Sequence, residues 1–217
     1  MNKKNNLKKR IYTSLCLSIG VFLMFQYHFF LIFSFLVIFV ISIIEFLILT
    51  KKINLKKFNF ILSNFLFVIY LSLFSLLFVY FYSIIQLKII IFSLLFCCVA
   101  SDIGGFIFGK LFKGPKLTKI SPNKTLSGSF GSLFFSIIIF SGIIFYFTNN
   151  FNLNILIIGL FTSIACQLGD LFFSFLKRKA KIKDTGNLLP GHGGFLDRLD
   201  GIIIGVPLGL LFITVLY

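Results

Sequence analysis

The chain has 217 residues, of which 58% are hydrophobic and 12% charged, and its formal net charge is +15. This composition excludes a soluble globular protein, because a soluble core cannot bury so much apolar surface, and it indicates transmembrane helices. It also argues against nucleic-acid binding, since no soluble domain remains to present a groove-reading element. We assign the net charge to membrane topology and to attraction toward anionic lipid headgroups.

Apolar runs predict an all-α, polytopic integral membrane helical bundle with about seven transmembrane helices. In chain order the predicted spans are 11–27, 29–49, 59–82, 88–109, 128–147, 154–176 and 201–217. Runs of this length suit a hydrocarbon core of ~30 Å. The first run has no small-residue cleavage site and continues into the second, so we expect a retained helix rather than a signal peptide.

Lysines and arginines indicate how these predicted helices are oriented. With seven spans, every basic residue except Lys88 lies on one side of the membrane, which the positive-inside rule makes cytoplasmic. The connections on the opposite side are short and nearly uncharged: 26–28, 83–87 and 148–152. The N-terminus and the connections 110–127 and 177–200 are therefore predicted to be cytoplasmic.

Ionisable groups within the spans are candidates for function, because a charge in a bilayer is costly. We interpret His28 and Glu45 as structural; Glu45 would reach the membrane interface or the lysines that follow it. Asp102 and Asp170 lie beside glycines in the cytoplasmic halves of spans four and six, where glycine permits close approach. For these two aspartates a structural ion pair with a loop lysine and a functional role stay equally open.

The segment from Ser174 to Asp200 concentrates three of the six acidic residues among lysines, arginines and glycines. Carboxylates beside a basic run suit a site where a metal ion and a polyphosphate meet, because carboxylates ligate hard cations and basic side chains hold phosphate oxygens. Asp197 and Asp200 are spaced i, i+3, which puts both carboxylates on one helical face. The segment therefore predicts a site for phosphate chemistry.

Two blocks of residues carry a resemblance to a known family. The run from Ser174 to Asp200 reads S-x-L-K-R-x4-K-D-x-G-x2-L-P-x-H-G-G-F-x-D-R-L-D, and it resembles the complete signature of the phosphatidate cytidylyltransferase family. A second block, D-x-G-G-F-x2-G-K from Asp102 followed by I-S-P-N-K-T-x-S-G from Ile120, is similar to the other cytoplasmic segment of that family. Many members have Glu or Gln where this chain has Ser127.

The resemblance implies a nucleotidyltransferase of phospholipid biosynthesis, which transfers CMP from CTP to phosphatidic acid and gives CDP-diacylglycerol and pyrophosphate. It implies N-terminal membrane spans over 1–87, reduced relative to the family, and a catalytic membrane domain over 88–217 with cytoplasmic loops 110–127 and 177–200. It further implies a homodimer in a bacterial inner membrane, with the active site facing the cytoplasm.

The resemblance also implies roles for individual residues. Three aspartates are expected to ligate Mg²⁺, provided that spans six and seven lie side by side: Asp170, Asp197 and Asp200. Four basic residues are expected to hold triphosphate or phosphatidate oxygens: Lys177, Arg178, Lys183 and Arg198. Asp184 and His192 complete the predicted catalytic set, and a second, monovalent cation stays open. Lys179 and Lys181 fall in a variable gap of the signature and are assigned to topology.

Further residues are expected to contact the substrates. Gly193 and Gly194 form a turn whose N–H groups would approach phosphate. Three roles stay open for His192: it would stabilise the leaving group, protonate it, or orient Asp197. In the second block the nucleotide contacts are expected from Ser121, Lys124 and Thr125. Asp102 serves either as a lysine partner or as support behind the metal ligands.

Two alternative functions compete with this interpretation. A CTP-dependent polyprenol or phytol kinase would transfer the γ-phosphoryl group to an alcohol, but the intact H-G-G-x-x-D-R-x-D run favours the cytidylyltransferase. A transporter using Asp102 and Asp170 as a proton or cation path needs a polar track to the outer face. The outer halves of spans four and six offer little beyond Ser and Thr.

Overall fold

A computed structural model describes residues 3–118, 120–122, 124–190 and 193–216. Within these residues the chain forms seven α-helices and no strand: α1 (Lys3–Gln26), α2 (His28–Ile53), α3 (Lys57–Ser83), α4 (Ile85–Phe112), α5 (Leu126–Thr148), α6 (Leu153–Lys179) and α7 (Leu196–Leu216). Six of them are long and apolar enough to cross a membrane, and the apolar part of α1, Ile11–Gln26, is shorter. The chain is thus an all-α integral membrane protein, as predicted.

Several helices extend beyond the predicted spans. α1 begins at Lys3, α6 continues through Lys177 and Arg178 to Lys179, and α7 begins before Asp197. Apolar runs mark only the part of a helix inside hydrocarbon, whereas the backbone hydrogen bonds continue into the polar interface. The charges at two of these ends also favour helix, because basic residues stabilise a C-terminus and acidic residues an N-terminus.

The chain divides into two compact units. The first combines the residues before Leu76 with Leu176–Leu199, so the signature segment, apart from its two ends, belongs with the N-terminal helices. Within it, Phe46 of α2 stacks on Phe67 of α3 with ring centroids 3.8 Å apart. The functional division between 87 and 88 stays a prediction.

The second unit comprises Leu76–Phe175 and Asp200–Tyr217, and small residues let its helices approach closely. A Cβ added at Gly128 of α5 would lie 2.8 Å from the carbonyl oxygen of Gly105 in α4. In the same interface the Ser132 hydroxyl donates to the carbonyl oxygen of Ser101 at 2.7 Å. Glycine and serine commonly pack membrane helices in this way. The contact fixes α5 against the part of α4 that carries the second sequence block.

Helices α6 and α7 lie side by side within this unit. A Cβ at Gly169 of α6 would lie 2.6 Å from the carbonyl oxygen of Asp200, and one at Gly201 would lie 2.6 Å from the Cys166 sulfur. The two helices are therefore in close contact at Gly169, next to Asp170, and at Asp200, which is the condition on which the predicted pairing of these two aspartates depends.

Candidate active site

A cavity of about 220 Å³ in the second unit brings the second sequence block against α6. Its lining includes Asp102, Lys124, Thr125, Gln167 and Asp170. Lys124 forms an ion pair with Asp170, and each side chain is 27% exposed. Lys124, which was predicted to bind nucleotide phosphate, and Asp170, which was predicted to bind metal, therefore contact each other in a solvent-accessible cavity.

Asp170 also contacts the residue at which the signature segment begins. The hydroxyl of Ser174, the first residue of the signature, donates to Asp170 Oδ1 at 3.3 Å. Ser174 stands one helical turn after Asp170, where side chains of the same face meet. Asp170 thus contacts residues of both sequence blocks, and the ion pair that the sequence left open for it is formed with Lys124.

The cavity wall formed by Lys124 and Thr125 is held by a short turn. Leu117 N–H donates to the Lys124 carbonyl at 2.8 Å, and Leu126 N–H donates to the Pro115 carbonyl at 2.9 Å. Thr125 is the N-cap of α5, because its Oγ1 accepts from Gly128 N–H at 3.1 Å. The cavity therefore adjoins a helix N-terminus, where N–H groups and the helix dipole favour an anion.

Other residues of the second block support this turn. Ser127 Oγ accepts from Gly114 N–H at 3.2 Å, so the serine at this position has a structural partner. Ser121 accepts from Lys124 N–H through its carbonyl oxygen at 3.1 Å. The nucleotide contact of Ser121 stays a prediction. Asp102 is an exposed side chain on the cavity wall.

Sequence reasoning missed Gln167, a polar side chain of α6 that lines the cavity. Its Oε1 accepts from the Ser129 hydroxyl, and its Nε2 donates to the Ser129 carbonyl at 3.4 Å. Gln167 precedes Asp170 by three residues in α6, so the two share a face. That spacing was the available signal.

Asp197 forms a second polar cluster, which lies within the first unit. Its Oδ1 accepts from Lys177 Nζ at 2.8 Å, and its Oδ2 accepts from the N–H groups of Thr185 at 2.8 Å and Gly194 at 3.0 Å. The Asp197 side chain is 5% exposed. A carboxylate offers about four lone-pair sites, so three donors leave capacity for one further ligand.

The same contacts change the expectation for two signature residues. Lys177 is paired with Asp197, and Gly194 N–H, which was predicted to approach phosphate, donates to the same carboxylate. Gly193 has φ 86°, a left-handed conformation that only glycine adopts at little cost. These residues shape the turn around Asp197.

Glu45 is the side chain whose surroundings the sequence misjudged. It is 2% exposed, and it accepts hydrogen bonds from the Thr185 hydroxyl at 2.7 Å and from the N–H groups of Phe195 and Leu196 at 2.8 Å each. The interpretation that Glu45 reaches the interface or the following lysines is wrong, because its donors come from a segment far along the chain. The sequence did offer a signal for a buried, hydrogen-bonded Glu45, because an ionisable residue inside a predicted span is costly unless it has partners.

The remaining predicted residues lie at the surface or outside the described part. Four of them are exposed: Arg178, Lys183, Asp184 and Arg198. His192 lies outside the described residues, so its three possible roles stay predictions.

The predicted metal ligands divide between the two units. Asp170 and Asp200 belong to the second unit, where α6 and α7 meet, and Asp197 belongs to the first. Asp200 is 9% exposed, and its Oδ1 accepts from Gly201 N–H at 3.0 Å. No three His, Cys, Asp or Glu side chains form a ready metal site in the described part of the chain. Carboxylate oxygens nevertheless suit a hard cation such as Mg²⁺, and the ligand set stays a prediction.

Comparison with known proteins adds an independent line of evidence. A family model described as Cytidylyltransferase family matches residues 1–216. The phosphatidate cytidylyltransferase of Staphylococcus haemolyticus is 46% identical over 112 residues, which are 50% of this chain and 42% of that protein. That of Rickettsia bellii is 44% identical over 135 residues, 57% of each chain. The chain spans about half the length of the curated relatives it matches.

Proposed function

Because the chain belongs to the cytidylyltransferase family, we propose that it transfers CMP from CTP to phosphatidic acid and releases pyrophosphate. The observation that carries this proposal is the contact of Asp170 with both Lys124 and Ser174. Within the second unit, Asp170 thus contacts a lysine of the second block and the residue at which the signature segment begins. The relatives that bear this name support the choice of substrates.

The reaction is a displacement at the α-phosphorus of CTP. A phosphate oxygen of phosphatidic acid forms the new bond to phosphorus, and the bond to the bridging oxygen breaks, so that pyrophosphate leaves with the electron pair. The attacking phosphate is already ionised near neutral pH, so a strong general base is not needed. Such transfers depend mainly on positioning and on neutralising charge at the phosphoryl oxygens.

Lys124 and the N-terminus of α5 are suited to the polyphosphate of CTP. Lys124 supplies a point charge, and the capped helix end adds the partial positive charge of its dipole. The cavity of about 220 Å³ is smaller than the ~300–1,000 Å³ typical of small-molecule pockets. We therefore assign it to the phosphate end of the nucleotide, which displaces Lys124 from Asp170.

The exposed cations of the signature segment are suited to the remaining phosphate oxygens. Arg178 and Arg198 offer planar guanidinium groups for bidentate contact, and Lys183 offers a point charge. Lys177 acts differently, because its ammonium group holds Asp197.

Magnesium, when bound, neutralises the charge on the phosphoryl oxygens. Its proposed ligands are Asp170, Asp197 and Asp200, whose carboxylates have the hard oxygen donors that Mg²⁺ prefers. Lys124 pairs with Asp170 and Lys177 pairs with Asp197, so each cation balances the charge of one of these carboxylates.

The positions of the two substrates determine where we propose that the active site lies. Phosphatidic acid keeps its acyl chains in the bilayer, whereas CTP arrives from the cytosol, so the site belongs at the cytoplasmic interface of a bacterial inner membrane. The one-sided distribution of basic residues supports this orientation. A homodimer is part of the proposal on the family resemblance alone.

A labelling experiment tests the reaction. The purified protein is supplied with phosphatidic acid, Mg²⁺ and CTP that carries label on either the α- or the γ-phosphate. We expect α-label in lipid and γ-label in pyrophosphate. Transfer of γ-label to an added polyprenol would instead identify a kinase, and absence of label from lipid in both arms would overturn the proposal.

A further inference from the structure

Glu45 is a buried carboxylate in a membrane helix, and its hydrogen-bond donors all come from the signature segment. It lies in α2, is 2% exposed, and accepts three hydrogen bonds of 2.7–2.8 Å from Thr185, Phe195 and Leu196. A buried charge is costly unless its lone pairs are satisfied. Glu45 is thus held by the segment, and the segment by Glu45.

Thr185 links Glu45 to Asp197. Its hydroxyl donates to Glu45 Oε2 at 2.7 Å, and its N–H donates to Asp197 Oδ2 at 2.8 Å. The second connection runs through adjacent residues, because Gly194 N–H donates to Asp197 and Phe195 N–H donates to Glu45. Each backbone donor of Asp197 therefore lies beside a group that donates to Glu45: the Thr185 hydroxyl in one case and the Phe195 N–H in the other.

Glu45 also caps α7. Phe195 and Leu196 supply N–H groups at the start of that helix, where backbone donors have no partner within the helix. A carboxylate there satisfies them and interacts favourably with the helix dipole. The cap comes from α2 rather than from a neighbouring residue, so it sets where the first turn of α7 begins.

Two glycines of the signature leave room for this carboxylate. A Cβ at Gly186 would lie 2.7 Å from Glu45 Oε1, and one at Gly194 would lie 2.6 Å from Oε2. Real Cβ atoms essentially never approach so closely. The segment thus encloses Glu45 with main chain on two sides, which ties the glycines of the signature to a residue outside it.

We infer that Glu45 is a positioning residue for the proposed reaction. It holds the chain at Thr185, Phe195 and Leu196 and, through Thr185 and Gly194, the orientation of the Asp197 carboxylate. The inference rests on the proposed function for its kinetic consequences, but its structural part is independent of that function. A purely stabilising residue would alter the amount of folded protein and leave turnover per folded molecule unchanged.

The main test compares Glu45→Gln with Ser42→Ala. Glu45→Gln keeps the shape but replaces one acceptor by an amide NH₂ that faces donors. Ser42 is buried in the same helix, and its hydroxyl has no hydrogen-bond partner in the described structure, so its loss is the matched control. We expect kcat per folded molecule to fall about 10- to 100-fold in Glu45→Gln, with a smaller change in KM for CTP, and no change in Ser42→Ala.

Variants of Thr185 test the route to Asp197. Thr185→Ser keeps the hydroxyl donor and should retain activity, whereas Thr185→Val removes it at similar volume and should lower kcat as Glu45→Gln does. The double variant Glu45→Gln with Thr185→Val should be little worse than either single one, because one connection is removed in both. Additive losses, or full activity in Thr185→Val, would overturn the inference.

Backbone hydrogen exchange separates this inference from the proposed function. In the 217-residue chain in lipid nanodiscs, peptides covering 185–196 should exchange faster in Glu45→Gln than in Ser42→Ala or the parent protein. This holds even if the parent protein transfers no label from CTP to lipid. Equal exchange in all three proteins would overturn the positioning role whatever the activity.

Discussion

Lys177 of α6 and Asp197 of α7 form an ion pair with 2.8 Å between Nζ and Oδ1. The pair closes the loop between these two helices at its base, and the side chains are 12% and 5% exposed. A largely buried pair resists solvent screening better than a surface pair. Asp197 is therefore held in one orientation by a side chain and by two backbone donors.

Removing the charge of the proposed metal ligands should stop turnover. We expect Asp197→Asn and Asp200→Asn each to lower kcat by about 10²- to 10³-fold, while the protein still inserts and elutes as a single species. Asp170→Asn should behave in the same way. The α-label assay over a range of Mg²⁺ concentrations measures this, and near-normal activity at saturating Mg²⁺ would remove that residue from the site.

Lys124 should bind nucleotide phosphate in a way that a nearby lysine does not. Lys124 lines the cavity and pairs with Asp170, whereas Lys116 is exposed on the same connection. Lys124→Ala should raise KM for CTP about tenfold or more, since a charge-assisted hydrogen bond contributes roughly 1.5–3 kcal/mol. Lys116→Ala should leave KM within about twofold. Equal effects of the two variants would contradict the assignment.

The basic run after α6 should separate into substrate contacts and topology residues. Arg178, Lys179 and Lys183 are all exposed, so geometry alone does not distinguish them. Arg178→Ala and Lys183→Ala should each raise the activation free energy of the reaction by several kcal/mol, which is measured as a fall in kcat/KM. Lys179→Ala combined with Lys181→Asn should change it little; Asn is chosen because Lys181 has φ 55°, which Asn tolerates. Comparable losses would mean that the run acts as undifferentiated charge.

The topology predicts the side from which the two connections are reached. Lys116 is exposed and Leu188 is 58% exposed, whereas Thr185 is 4% exposed and unsuitable for labelling. Cysteines introduced at Lys116 and Leu188 in a Cys16→Ser background should react with an impermeant thiol reagent only from the cytoplasmic side. The other three cysteines are buried. Reaction from the outside at either position would contradict the seven-span topology.

The close contact of α6 and α7 should tolerate no added methyl group. In Gly169→Ala the new Cβ would lie 2.6 Å from the Asp200 carbonyl, and we expect a loss of about 1–3 kcal/mol in stability together with reduced activity. Gly142 of α5 is the control, since a Cβ there meets nothing within 4 Å. Gly142→Ala should be neutral or stabilise by roughly 0.5–1 kcal/mol. Thermal unfolding in one detergent measures both, and equal stability would refute the packing.

The sequence by itself determined the helical architecture, because a chain in hydrocarbon must satisfy its backbone hydrogen bonds internally. Apolar runs therefore marked all seven helices, although charged ends such as Lys177 and Asp197 fell outside the predicted spans. Relationships within one helix were equally readable: the i, i+4 contact of Asp170 with Ser174 follows from helical spacing alone.

Only the tertiary structure decided which distant groups meet. Lys124 and Asp170 belong to different blocks, and Glu45 bonds to Thr185, which follows it by 140 positions. Nothing in the local pattern of α2 distinguished a carboxylate at the membrane interface from one enclosed by a loop. The difference arises because a buried charge takes its stability from whichever donors the fold brings to it. Two of the three donors to Glu45 are backbone N–H groups, which every residue type except proline carries.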